Sequence, residues 1–231
     1  QRGPQCDFIR FARGVGVSVQ NRNSGRGRVQ FRHYQLDAHA ACYAQWKRGE
    51  DALDKHALVV LPTGCGKTIC ALGVVAAALQ RGHRVLWLAH RAELLRQPLN
   101  ALSGIWPELA HRAGIVQGTN NQFHRDLVFA SVDTVRQPRR LDPILAKGPV
   151  RLVVVDEAHH SVAGAWSTAL ARVNAHAAEQ GAPEPFWLGL TATPERADGK
   201  PLGQLWRVAY AYTIPEALEG GYLVPPRFEV D

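Results

Sequence analysis

Residues Leu61–Thr68 read LPTGCGKT, and the residues on either side of them decide the fold. Upstream, Ala57–Leu61 (ALVVL) is a short, continuous apolar run, which predicts a buried strand. Downstream, Lys67–Gln80 (KTICALGVVAAALQ) is rich in alanine and stops at Arg81-Gly82, which predicts a helix. A strand, a glycine loop and a helix in succession are the setting of a phosphate loop. Gly64 and Gly66 let the backbone curl, so that successive N–H groups across Thr63, Gly64, Cys65 and Gly66 face one concavity. The helix adds its unsatisfied amides and the positive end of its dipole. Lys67 is then placed for the β- and γ-phosphates of a nucleotide, and the Thr68 hydroxyl for Mg²⁺. The general pattern GxxxxGK[ST] wants glycine where this chain has Leu61, so the strict match fails there. Cys65 need only be small.

Beyond this loop, strands and helices alternate. Tyr34–Arg48 predicts a helix closed by Gly49, and Arg84–Ala89 a strand. Ala92–Gln97 opens a helix that Pro98 is expected to end or kink. Leu127–Ala130, Arg151–Val155 and Phe186–Leu190 predict strands, and Trp166–Ala178 a helix. Apolar runs without alternation imply burial on both faces, and intervening helices imply parallel crossovers. The expected architecture is α/β, a parallel sheet flanked by helices on both faces, with ligands at the carboxyl ends of the strands.

One such end is chemically distinctive. Leu152–Val155 runs directly into Asp156-Glu157-Ala158-His159. Asp156 is a candidate Mg²⁺ ligand, and Glu157 a candidate for orienting and deprotonating an attacking water. Adjacent His159 and His160 diverge on a helix and lack HExxH spacing, so they do not read as a zinc pair.

The 231 residues, 46% hydrophobic and 20% charged, are enough for a folded core and exclude a disordered chain. No apolar run approaches 18 residues, and the first residues lack a signal peptide's apolar stretch, so no membrane partner is expected. The absence of methionine and the initial Gln1 read as a trimmed piece of a longer chain. Four cysteines without CxxC spacing read as buried or incidental thiols in a reducing compartment. Of the net charge of +7, residues 1–32 hold seven arginines against one acid, Asp7. That excess points to a polyanionic partner. The Gly, Ser, Asn and Arg of residues 14–28 read as a linker, after a short strand expected at Cys6–Ala12.

Taken together, GKT, DEAH at 156–159 and TAT at 191–193 resemble the superfamily 2 helicases and translocases. Phe31–Gln35 resembles their LRPYQ segment, which implies that Gln35 reads the adenine edge, although His33 replaces the usual proline. Leu86–Gln97 and Val128–Val135 resemble segments that hold a nucleic-acid backbone, which makes His90, Arg91, Ser131 and Thr134 candidate contacts. For Ser131, a helix N-cap is the competing role. Thr191 and Thr193, with His159, are placed by the resemblance between nucleotide state and strand grip. Ala192–Arg196 with Asp198–Lys200, and Ile214–Pro226, fit further family segments.

The similarity covers about 31–226. TAT followed by PER resembles the DNA-acting group of type III restriction translocases, RadD-like proteins and XPB-like helicases more than RNA helicases, which usually carry SAT. It implies a first RecA-like P-loop lobe over 31–231, an Arg/Gly-rich extension over 1–30, and a second lobe absent from this chain. The implied activity is ATP hydrolysis with Mg²⁺, coupled to movement on DNA, in the cytoplasm or at the nucleoid. Alone, such a lobe is expected to bind nucleotide weakly, hydrolyse it negligibly and unwind nothing. A nucleotide- and DNA-binding module without turnover, or an RNA-acting helicase, is the alternative.

Overall fold

In the computed structural model, which describes residues 30–160, 164–193, 202 and 205–225, the apolar run before the glycine loop is an inner strand of a single sheet. In chain order the strands are β1 (His56–Val60), β2 (Arg84–Ala89), β3 (Ala113–Gln117), β4 (Asn120–Asn121), β5 (Leu127–Ser131), β6 (Val150–Val155), β7 (Phe186–Thr191) and β8 (Arg207–Ala211). The helices are α1 (His33–Arg48), α2 (Lys67–Gln80), α3 (Arg96–Ile105), α4 (Pro107–Ala110), α5 (Val132–Val135), α6 (Pro138–Leu145), α7 (Gly164–Glu179) and α8 (Ile214–Glu219).

The lateral order is β4-β3-β5-β2-β6-β7-β1-β8. Every pairing is parallel except that of two-residue β4, which runs antiparallel to β3 at one edge. The expected parallel sheet therefore holds for its whole interior. Successive side chains of a strand leave on opposite faces, and here both faces are covered. Ala57, Val59, Trp87, Phe129, Val154 and Leu188 meet α1, α2 and α3 on one side. Leu58, Val60, Leu86, Val128, Val153 and Trp187 meet α5, α6 and α7 on the other. That double burial is why these strands carry no polar alternation.

Three elements depart from expectation for local reasons. Pro98 neither ends nor kinks a helix. Ala92–Leu95 is a 3₁₀ turn and α3 starts at Arg96, so Pro98 falls in the first turn, where its missing N–H has no intrahelical partner to lose. Strand β8 (RVAYA) is partly exposed along its whole length, unlike the buried runs that predict the inner strands. Helix α6 contains Pro138 at its start and Pro143 inside, which reads as a break in sequence. The expected strand at Cys6–Ala12, the linker at 14–28, and the 194–200 part of the TAT-PER segment lie outside the described residues.

The contact between α1 and α2 depends on Gly73. A β-carbon there would stand 2.7 Å from both His39 Cε1 and Phe31 Cζ. The His39 ring cannot step aside freely, because its Nε2–H donates to the Cys70 carbonyl at 2.7 Å. Gly104 in α3 has nothing within 4 Å of the same position. Gly73→Ala is therefore expected to destabilise by about 1–2 kcal/mol, overpacking outweighing the gain in helix propensity. Gly104→Ala is expected to stabilise by about 0.5–1 kcal/mol. Urea unfolding midpoints of the two variants test this; the same sign for both would contradict the packing described.

Candidate functional site

Strands β1, β6 and β7 end side by side, and the chain leaves each through a different functional segment. The exits are tied together. Leu61 N–H donates to the Thr191 carbonyl at 3.0 Å, and Asp156 N–H to the Leu88 carbonyl at 2.8 Å, extending the ladders past the strands.

The loop after β1 folds as the glycines require. Gly64 (φ 87°) and Gly66 (φ 72°) both occupy the left-handed region, and Cys65 N–H closes a turn onto the Pro62 carbonyl at 3.1 Å. Thr63 and Gly64 are exposed, Gly66, Lys67 and Thr68 are half-buried at the start of α2, and the Cys65 side chain is fully buried. The Lys67 ammonium donates to the Leu61 carbonyl at a long 3.4 Å, its one hydrogen bond among the described residues.

Gln35 lies against this loop rather than in the open. Its Nε2 donates to the Cys65 and Gly66 carbonyls at 3.4 and 3.2 Å, and its Oε1 accepts from Arg32 N–H at 3.0 Å. A β-carbon on Gly66 would come within 2.8 Å of that amide nitrogen. Gln35 thus braces the loop. Tyr34 does the same, its hydroxyl donating to the Cys65 carbonyl at 3.0 Å while its ring stacks on Tyr212 with centroids 4.4 Å apart. The sequence reading did not single out Tyr34; an aromatic beside the expected adenine reader was the available signal.

After β6, Asp156 and Glu157 diverge in character. Burial, then the neighbouring Glu157 charge, pushes the Asp156 carboxyl up to about 6, while the Glu157 N–H bond and the Lys67 ammonium pull it down. Such a carboxyl lacks enough positive charge around it. Glu157 has φ 51°, the one non-glycine residue with positive φ among those described. A residue with a β-carbon held there is uncommon, and such conformations gather at active sites. The twist turns Glu157 Oε2 to 3.4 Å from His159 Nδ1.

His159 Nδ1 also lies 3.1 Å from Thr191 Oγ1. The Thr191 hydroxyl spends its single hydrogen on the Thr193 carbonyl at 2.8 Å and accepts from Thr193 N–H at 3.2 Å. His159 must then be the donor, which puts its proton on Nδ1. His159, Thr191 and Thr193 form one hydrogen-bonded chain, and the Glu157 carboxylate lies beside its His159 end.

The other candidates sit at the ends of β2 and β5. His90 is partly buried and Arg91 exposed, opening the 3₁₀ turn. Ser131 is buried and takes the capping role: its Oγ accepts from Thr134 N–H at 3.3 Å and lies 2.9 Å from Thr134 Oγ1. Thr134 remains half-exposed on the rim of a cleft lined also by Phe123, Gln137, Arg139 and Arg140. Cys42, Cys65 and Cys70 are buried free thiols, and burial raises Cys70 to about 12. Among the described residues, no cluster of three or more potential metal ligands occurs, and no helix is long and apolar enough to cross a membrane.

The chain is 31% identical over 206 residues to the "Putative ATP-dependent helicase IRC3" of Saccharomyces cerevisiae, covering 85% of this chain and 28% of that protein. It is 29% identical over 180 residues to the "DNA 3'-5' translocase XPB2" of Sulfurisphaera tokodaii, covering 76% and 33%. It thus spans about a third of the length of these relatives. The fold matches the Pyrococcus furiosus Hef helicase domain with a TM-score of 0.57 at 22% identity, over 80% of this chain and 41% of that one. Residues 28–196 match the family described as "Type III restriction enzyme, res subunit". A match that begins before Gln35 and runs past Thr193 takes in every side chain of this sheet edge, and the chain accordingly belongs to that family, as its ATP-binding RecA-like helicase lobe.

Proposed function

We propose that this lobe works in a nucleic-acid-dependent ATPase that moves on DNA, with Glu157 as the base. The observation that carries the proposal is the left-handed backbone of Glu157. It sets the candidate base 3.4 Å from His159, which bonds through Thr191 to Thr193, so a change at the phosphates reaches the next strand end. The amides of Thr63–Thr68 cradle the phosphates, Lys67 neutralises charge on the β- and γ-oxygens, and Gln35 contributes to the adenine end while bracing the loop. The half-buried Thr68 hydroxyl and the electron-rich Asp156 fit Mg²⁺, which takes few protein ligands and completes its shell with phosphate and water. Bound there, the ion supplies charge neutralisation at the transferring phosphoryl group.

Arg91, Thr134 and the arginine-lined cleft beyond it give the strand a positive, hydroxyl-bearing edge. The name of the archaeal relative supports DNA as the track, and the arginines of residues 1–32 add a second source of affinity. A second RecA-like lobe closes the site from the far side, in the cytoplasm or at the nucleoid. The test is ATP hydrolysis by this lobe joined to a second lobe, with and without DNA. Stimulation by DNA, weakening steeply as salt rises, is expected; hydrolysis indifferent to DNA at every salt concentration would overturn the proposal.

A further inference from the structure

Three imidazoles stand in a row where β2 and β6 end. The rings of His90 and His160 stack with centroids 4.2 Å apart and planes 21° from parallel. His160 in turn lies 4.1 Å from His159, tilted by 43°. The hydrogen-bonded chain described above accounts for His159 alone. It leaves His90 and His160 without a role, although they connect the β2 exit to the segment that carries Glu157.

We propose that His90 and His160 are a positioning pair through which a strand held at the β2 exit sets the orientation of Glu157; this rests on the ATPase reading above. The backbone beneath the pair is fixed, because β2 pairs with β6 up to Leu88 and Val155 and Asp156 N–H still donates to the Leu88 carbonyl at 2.8 Å. Movement between the two exits must therefore pass through side chains, and the stack is the contact on hand. Exposed Arg91 meets a phosphate first, and His90 is its immediate neighbour. From His90 the path runs by ring contact through His160 to His159, and from His159 Nδ1 to Glu157 Oε2 at 3.4 Å.

Two further observations favour a pair with more than one arrangement over simple packing. Among the described residues the buried His90 Nδ1 has no hydrogen-bond partner, a cost that a shift of the ring can relieve. His160 is exposed, so its ring is not held in place by a surrounding core. Partial desolvation and the adjacent His159 and His90 rings hold His160 below the usual imidazole range. A zinc site does not explain the cluster, since no group of three potential ligands forms among the described residues.

The experiment uses the 231-residue chain, a fluorescent ATP analogue with Mg²⁺, and a single-stranded DNA oligonucleotide. In the unmutated chain DNA is expected to tighten analogue binding by about 5-fold or more, the lower range of coupling between linked sites. In His160→Ala, affinity for each ligand alone is unchanged and the coupling disappears. His160→Phe keeps a flat ring and restores most of it. His90→Ala adds nothing to His160→Ala, as expected of two residues acting in one contact. Coupling that survives His160→Ala overturns the proposal, as does a matching loss of analogue affinity without DNA. So does an unmutated chain that binds both ligands independently. Failure of the unmutated chain to bind the analogue at all overturns the ATPase reading beneath it, a distinguishable result.

Discussion

Lys67→Ala is expected to lower ATP turnover by about 100-fold or more in a protein that joins this lobe to a second one, while leaving the fold intact. The two halves of that expectation have separate grounds. Lys67 opens α2 at the mouth of the loop, half-buried, and among the described residues its ammonium makes one hydrogen bond, the long 3.4 Å one to the Leu61 carbonyl. Truncation leaves no buried cavity, although it withdraws one positive charge from Asp156, and the unfolding midpoint should move little. At the phosphates the same ammonium is a fixed charge aimed where negative charge accumulates, and removing one such contact costs about 10²–10³ in rate. Turnover and thermal unfolding measured on the same preparation test both halves. Near-normal turnover would remove Lys67 from the mechanism; a large fall in stability would mean that it holds the loop instead.

Glu157→Gln carries the second large effect, and its signature is a split between binding and chemistry. The amide keeps the size of the side chain and an acceptor oxygen for His159, but it cannot take a proton. Hydrolysis should fall by about 10²–10⁴, the usual contribution of a general base. Nucleotide affinity should stay near that of the unmutated protein, so ATP and DNA become trapped together. Equal losses in affinity and hydrolysis would show that Glu157 shapes the site and takes no proton. The left-handed backbone offers a control. Glu157→Gly relieves the conformation at φ 51° yet removes the carboxylate, so it should match the glutamine variant in hydrolysis without losing fold stability to strain.

What could be read from sequence follows a physical line. Lys67–Gln80 and Arg84–Ala89 were predicted residue for residue, because a buried element must be apolar throughout and glycine marks where it stops. The edges were not legible. β3 and β8 are short, flanked by polar residues or half exposed, and β4 has two residues, so tertiary pairing rather than local pattern makes them strands. At the site, residue type and spacing were enough to pick out Lys67, Thr68, Asp156 and Glu157. They offered the cap that Ser131 makes as one of its two roles, but could not show that Gln35 lies folded against the Gly66 carbonyl. Nor could they show that His160 faces a ring from another strand end, since its partner His90 lies 70 positions upstream. Such relations depend on which strand ends the fold makes neighbours.

The burial of Cys42, Cys65 and Cys70 has a practical side. Maleimide chemistry needs an exposed thiolate, and burial holds the Cys42 thiol well above its usual range and Cys70 near 12. Cys65, although in the middle of the phosphate loop, shows none of its side chain to solvent. With Cys6 replaced by serine, a single cysteine introduced at an exposed position such as Thr119 would be the one site open to a dye. The lobe can thus carry one dye for fluorescence distance measurements to a labelled nucleotide or DNA, without first rebuilding its core.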